Sequence, residues 1–213
     1  MFLHVFYIYW YIFLIKSLYG VIMRINKKLK ARLSTIYYKF KFGKFGKRSV
    51  IIDPLNINGA RNIYINENVV IESLSWIAAV PLTNTKDCKL EICSGSRIGH
   101  FNHIYATHYI KIGKDVLTSD RVYISDNSHD YSDIEKPILR SNIRQLNDVS
   151  IGEGSWIGEN VSIIGACIGK HCVIGANAVV TKNIPDYSIA VGVPAKVIKE
   201  FDAITGKWAK VAE

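Results

Sequence analysis

Ile151-Gly152, Ile157-Gly158, Ile163, Ile168-Gly169, Ile174-Gly175 and Val180 mark a stretch in which a branched aliphatic returns about every six residues. An α-helix would repeat its apolar side chains at three and four residues, and a half-buried strand would alternate strictly. A period of six fits neither and is the beat of a parallel β-helix built from hexapeptide rungs. Each rung places one aliphatic inward, and a Gly, Asn or small residue turns the backbone to the next face. Each coil then hydrogen-bonds to the coils above and below, about 4.8 Å away. The expected core is a column of stacked Ile and Val.

The same beat runs earlier through Ile92, Ile98-Gly99, Ile104 and Ile110, and restarts after a two-residue slip at Ile112-Gly113, Thr118 and Ile124. A fainter run passes through Ile51, Ile57, Ile63, Ile65 and Ile71. Ile163 to Ile168 is one residue short, which implies a tightened corner. Between Ile124 and Val149 the beat stops, and the chain reads SDNSHDYSDIEKPILRSNIRQLND. Such an excursion spares the core if it protrudes, here as a loop over 126–148, and long loops in compact domains are more often functional than not.

A chain of 213 residues with 49% hydrophobic composition holds one domain and an N-terminal appendage. Its net charge of +9 would ordinarily raise nucleic acid as a partner, but the placement argues otherwise. Residues 1–48 carry eleven Lys and Arg and no acid, whereas the remainder is nearly neutral, with sixteen basic and eighteen acidic residues. Phe2 to Met23 are apolar and aromatic, interrupted by His4, Lys16 and Ser17. A spanning helix needs about 20 apolar residues, and a basic flank places the following domain on the cytoplasmic side. An interfacial helix held on anionic lipid by the basic residues is the competing reading. A cleaved signal peptide lacks its basic n-region and small-residue cleavage site, and a start at Met23 would leave MRINKKLKARL as the terminus. The expected organisation is a membrane-associated segment at 1–48, a β-helix at 49–200 and a tail at 201–213, at the inner face of the plasma membrane.

Cys88, Cys93, Cys167 and Cys172 form no C-x-x-C pair and no metal-site spacing, and read as small buried thiols in a reducing compartment. No P-loop or G-x-G-x-x-G is present, which speaks against nucleotide hydrolysis.

Three segments occur in order: Trp156-Ile157-Gly158-Glu159-Asn160-Val161, then Ile174 to Lys182 reading IGANAVVTK, then Ile189 to Lys199 reading IAVGVPAKVIK. The ordered set resembles the left-handed β-helix acyltransferases, the branch of galactoside, maltose and antibiotic acetyltransferases and of O-acetyltransferases of bacterial surface polysaccharides. It covers roughly the last two-thirds of the chain. The left hand of the coil comes from this resemblance, since ordinary parallel crossovers are right-handed. Phe201-Asp202 after the VPAKVIKE motif is a looser likeness to the polysaccharide-modifying relatives.

The resemblance implies a general base at His129, on the loop leaving the coil just before the Trp-Ile-Gly rung. An alcohol is a poor nucleophile at neutral pH, and an imidazole suits the removal of its proton. Asp126 or Asp130, or a neighbouring carbonyl, is expected to fix the tautomer, and Asp126, Asp130 and Asn102 are expected around the acceptor. Without the resemblance His129 reads as a solvated loop histidine and Asn102 as a coil-corner asparagine. In the family, CoA lies along the outside of the coil between neighbouring subunits; matching positions are Trp156, Gly158, Ala176, Thr181, Lys182 and Lys196, with Lys199 as an addition. Trp156 reads equally as a surface aromatic against an adjacent protomer, and the lysines as solvated charges. A homotrimer with sites at subunit boundaries is implied.

His100, His103 and His108 invite comparison with the γ-class carbonic anhydrases, whose zinc histidines include an H-x4-H pair. There the second histidine directly follows an inward aliphatic, whereas His108 stands late in its rung, so no metal is expected. His171 reads as exposed. The expected function is CoA-dependent O-acetylation of a sugar hydroxyl, with acetyl-CoA as donor. N-acylation of an amino sugar and a non-catalytic β-helix scaffold are the alternatives, while serine acetyltransferases carry a long helical domain without counterpart here.

Overall fold

The computed structural model describes residues 35–83, 85 and 87–211. The apolar stretch Phe2–Met23 lies outside them. Among the described residues no helix is long and apolar enough to cross a membrane.

Three parallel sheets wrap the chain into a triangular prism. The first face stacks Lys44–Phe45, Ile63–Ile65, Lys89–Ile92, Tyr109–Ile112 and Val149–Ile151. The second stacks Val50–Ile51, Val70–Ile71, Arg97–Ile98, Leu117–Thr118, Trp156–Ile157, Val173–Ile174 and Ser188–Val191. The third stacks Asn56–Asn58, Trp76–Ala79, His103–Ala106, Tyr123–Ser125, Ser162–Ile164 and Val179–Val180. The hexapeptide beat is the passage from face to face. On the second face Ile51, Ile71, Ile98, Thr118, Ile157, Ile174 and Ala190 stand in register. On the third, Ile57, Ile77, Ile104, Ile124, Ile163 and Val180 do the same. The two-residue slip at Ile110 and Ile112 is a first-face strand that turns both side chains inward, opposite Val149 and Ile151.

The corners follow a rule that residue type alone does not show. Between first and second faces, Arg48, Asn68, Gly95, Asp115, Gly154, His171 and Tyr187 all have φ between 49° and 80°. Between second and third, Leu74, Phe101, Arg121, Asn160 and Asn177 have φ of 56–61°. A left-handed conformation costs an L residue roughly 1–2 kcal/mol, and bulky Tyr187, Phe101 and Leu74 accept it. From Asn68 onward these corner amides donate to the coil beneath, as His171 N does to Glu153 O at 2.9 Å and Tyr187 N to Lys170 O at 2.7 Å. This hydrogen-bond ladder offsets the strain, so the turn does not depend on Gly or Asn. The glycines of the Ile-Gly pairs serve another purpose. A Cβ on Gly152 would lie 2.4 Å from the backbone of Gly169, and one on Gly169 2.4 Å from Asp186 N. They let successive coils approach. The short rung before Ile168 turns at Gly165, with φ of 57°.

Buried serines bind coil to coil. Ser96 Oγ donates to Gly113 O at 2.7 Å and accepts from Val116 N at 3.2 Å; Ser49 and Ser155 make the same pair of bonds in other coils.

Both ends of the column are covered. Residues 35–41 are helical, and Tyr38 and Phe42 pack edge-on or tilted against one another and Phe45 at the N-terminal end. The coil begins at Lys44–Phe45, paired with Tyr64–Ile65, within the segment expected to precede it. At the other end the second face continues across the expected boundary at residue 200: Lys196–Asp202 and Lys207–Lys210 add two antiparallel strands, with Phe201 against Trp208. The excursion at 126–148 is a ribbon whose legs, Asn127–His129 and Ile143–Gln145, pair antiparallel.

Replacing Ser96 by Ala leaves the Val116 amide and the Gly113 carbonyl without their partner in a dry corner. Unfolding in denaturant is expected to show a loss of about 1–3 kcal/mol with an unchanged denaturant slope.

Candidate active site

The vertex where the third face passes to the first carries the insertions: the loop 80–88, the turn at Thr107-His108 and the ribbon. One fully buried carboxyl group organises it. Asp126 Oδ1 accepts from Thr107 N at 2.8 Å, Thr107 Oγ1 at 3.0 Å and Asn127 Nδ2 at 3.0 Å, while Oδ2 accepts from His108 N and Tyr109 N, both at 2.8 Å. Gln145 on the return leg donates to Asp126 O at 2.8 Å, and its Oε1 accepts from Thr83 Oγ1 at 2.8 Å. The ribbon's root is thereby tied to the coil beneath and to the 80–88 loop.

His129 ends the outgoing leg, exposed and opposite Ile143. Its ring has no hydrogen-bond partner among the described residues. Asp130 bonds to Ser132 N at 3.0 Å and Ser132 Oγ at 2.6 Å, which holds its carboxyl below the usual range. Neither aspartate orients His129 in the single chain. Asp126 is fully buried and Asn102 1% exposed, so in the single chain neither presents its side chain to an acceptor. Asp126 is a fastener. Asn102 is enclosed at a corner, donating to Ser119 O at 3.0 Å and accepting from Thr118 Oγ1 at 3.3 Å. The left-handed residue of that corner is Phe101.

The histidines at 100, 103 and 108 do not converge. His100 lies 3.2 Å from Asp120 Oδ1 on the second-to-third vertex. His103 stacks on Trp76 with ring centroids 4.4 Å apart on the outer third face. His108 faces Asp148 at 2.6 Å. Among the described residues no group of three or more His, Cys, Asp or Glu is arranged to hold a metal ion. Burial pushes the Cys88 thiol up to about 12, which removes it as a nucleophile near neutral pH.

The expected donor contacts divide over the prism. Trp156 stands exposed on the second face, its Nε1 donating to Ser119 Oγ at 3.0 Å. Its outward column is Val50, Val70, Arg97, Leu117, Trp156, Val173 and Ile189, apolar but for the arginine. Gly158 and Ala176 stack at the second-to-third corner, where Gly158 N is spent on Ile174 O at 2.8 Å. Gly158 therefore serves coil spacing. Lys196 is exposed beside Val191. Thr181 and Lys182 follow the last third-face strand and lie, also exposed, on the same vertex as the ribbon. In a triangular prism that vertex is opposite the second face, so His129 and Trp156 cannot line one cleft of one chain. The sequence reading missed the Asp126 fastening and the His108–Asp148 contact, since both join residues distant in sequence.

Residues 148–182 match the bacterial transferase hexapeptide family, six repeats. They include two of the three ordered motifs, Trp156–Val161 and Ile174–Lys182, and end before Ile189–Lys199. WbbJ of Escherichia coli K12, named for O-acetyl transfer in lipopolysaccharide biosynthesis, is 36% identical over 121 residues, 54% of this chain and 62% of that protein. The galactoside O-acetyltransferase of the same organism is 34% identical over 105 residues, 48% of this chain and 50% of that one. The chain thus spans less than two thirds of the length of these curated relatives. AntD, an N-acyltransferase from Bacillus cereus crystallised with dTDP and 3-hydroxybutyryl-CoA, superposes with a TM-score of 0.67 at 23% identity, covering 81% of this chain and 90% of that one. That likeness establishes the fold.

Asp126→Asn turns an amide donor toward donors already in place. Unfolding is expected to fall by on the order of 3 kcal/mol, with faster hydrogen exchange at the amides of residues 107–109. Burial also lowers the readiness of His103 to take a proton. The unfolded ring protonates near about 6.5, so stability is full above that pH and declines as pH falls below it. His103→Phe, which keeps a ring against Trp76, is expected to flatten that decline in pH-dependent thermal melts.

Proposed function

We propose that the chain is a CoA-dependent O-acetyltransferase with the left-handed coil of the acyltransferases it resembles. It moves an acetyl group from acetyl-CoA to a hydroxyl of a saccharide, a bacterial surface polysaccharide or its lipid-linked precursor. The reading is supported by the hexapeptide match and by relatives named for O-acetyl transfer to lipopolysaccharide and galactoside. Its carrying observation is the ribbon, which delivers an exposed imidazole, His129, beyond the body of the prism.

The opposition of His129 and Trp156 supports a site shared between two copies. One copy gives its ribbon vertex; the next gives its second face, with Leu117 and Trp156 exposed beside Val173 as an apolar wall for the pantetheine arm. Lys182 and Lys196, both exposed, serve the phosphates, with Ala176 and Thr181 lining the approach. The ribbon tip is compatible with such an assembly, because Ile134 and Leu139 are 91% and 92% exposed and offer apolar surface to a neighbour. A threefold ring satisfies this arrangement with cyclic closure.

In the reaction His129 takes the proton of the acceptor hydroxyl as its oxygen bonds to the acyl carbon. The C–S bond breaks, CoA leaves as the thiolate, and the proton passes from His129 to it or to solvent. No covalent intermediate on the protein is needed. Acetyl-CoA is a cytosolic donor, which supports a domain in the cytoplasm, with the N-terminal segment 1–48, apolar over Phe2–Met23 and basic after it, as its contact to the membrane face.

His129→Ala is expected to lower turnover by on the order of 10²–10⁴ while CoA binding by calorimetry persists. Full activity of the variant ends the mechanism. Supplying amino sugars in parallel with neutral saccharides separates O-acylation from N-acylation.

A further inference from the structure

The ribbon's root holds a second imidazole that this reaction does not use, and it is better fixed than His129. The main chain of His108 is anchored through its amide to Asp126 Oδ2 at 2.8 Å. Its ring Nδ1 lies 2.6 Å from Asp148 Oδ1. Asp148 closes the ribbon immediately before the strand Val149–Ile151, and its carbonyl accepts from Cys167 Sγ at 3.4 Å. Both partners of the pair therefore sit on main chain tied into the coil.

A carboxylate facing Nδ1 calls the proton to that nitrogen and leaves Nε2 with a directed lone pair. Among the described residues Nε2 has no hydrogen-bond partner. With 39% of the His108 side chain exposed, a ligand can reach it. An imidazole in this tautomer accepts a hydrogen bond at Nε2 and cannot donate one there, so it selects for an O–H or N–H on whatever it meets. A saccharide presents hydroxyls on either side of the one that reacts, and a base alone does not tell them apart. A surface ion pair with no ligand would add between nothing and about 1 kcal/mol to folding and nothing to recognition.

We propose that His108, oriented by Asp148, accepts a hydrogen bond from an acceptor hydroxyl next to the reacting one and so selects which hydroxyl is presented to the base. The inference rests on the acyl-transfer reading above. A site built to pair with a hydroxyl penalises the analogue lacking it, because the buried or oriented polar partner is then left unmatched.

The test combines imidazole ¹⁵N spectra with steady-state kinetics on the full chain. Probes are a saccharide that the wild type acetylates and its analogue deoxygenated beside the reacting position. The Nε2 resonance of His108 is expected to move with the first and not with the second. His108→Ala is expected to raise the acceptor KM about 10–100-fold, to leave kcat within about threefold and to lose the discrimination between the two acceptors. Asp148→Ala is expected to do the same in part, and His108→Gln, whose Oε1 accepts a hydrogen bond, to recover part of the affinity. An unmoved resonance at saturating acceptor, an unchanged KM, or a loss confined to kcat overturns the proposal. A wild type that transfers to saccharides while His108→Ala behaves identically overturns this inference alone. A wild type that neither binds nor acylates any saccharide overturns the acyl-transfer reading with it.

Discussion

Everything in this chain is arranged around backbone hydrogen bonds that run parallel to the long axis, from each coil to the next. They fix the spacing at which side chains must stack, and the rest follows. Inward positions fill with branched aliphatics because only one or two residues per short strand reach the axis. Ile-Gly pairs occur where a Cβ would strike the neighbouring backbone, as at Gly152 and Gly169. The same bonds continue around two of the three vertices, which is why Tyr187, Phe101 and Leu74 hold a conformation usually left to glycine.

How much could be read in advance follows from this geometry. The period of six is a local property, so the β-helix, its inward column and the point where the ribbon leaves were all legible. The corners were not: the residue there is tolerated because of a carbonyl one coil away, and nothing local marks it. Asn102 and Asp126 illustrate the same limit. Both are polar residues in the right neighbourhood for a substrate, and both are engaged by groups 16–19 positions distant in sequence. His129 was singled out by the family resemblance, and its ring finds no hydrogen-bond partner among the described residues to mark it further.

The His108–Asp148 contact belongs to a different category. Forty residues separate the two, and the ribbon must close before they meet. Insertions at a single vertex thus have a structural benefit besides freedom to vary. They bring residues from consecutive coils to one line, where backbone already fixed by the sheets can hold side chains in place. A rigid scaffold with its variable segments gathered on one edge is a sound platform for recognition.

The closing hairpin has a consequence for how molecules meet end to end. Up to Ser188–Val191 every strand of the second face runs the same way, and another coil could in principle stack on top without limit. Lys196–Asp202 and Lys207–Lys210 reverse direction. The final edge therefore no longer offers a three-sided parallel template, and Lys207 and Lys210 set charge along it. Reversing the strand sense and setting lysines along the edge are devices that discourage edge-to-edge growth.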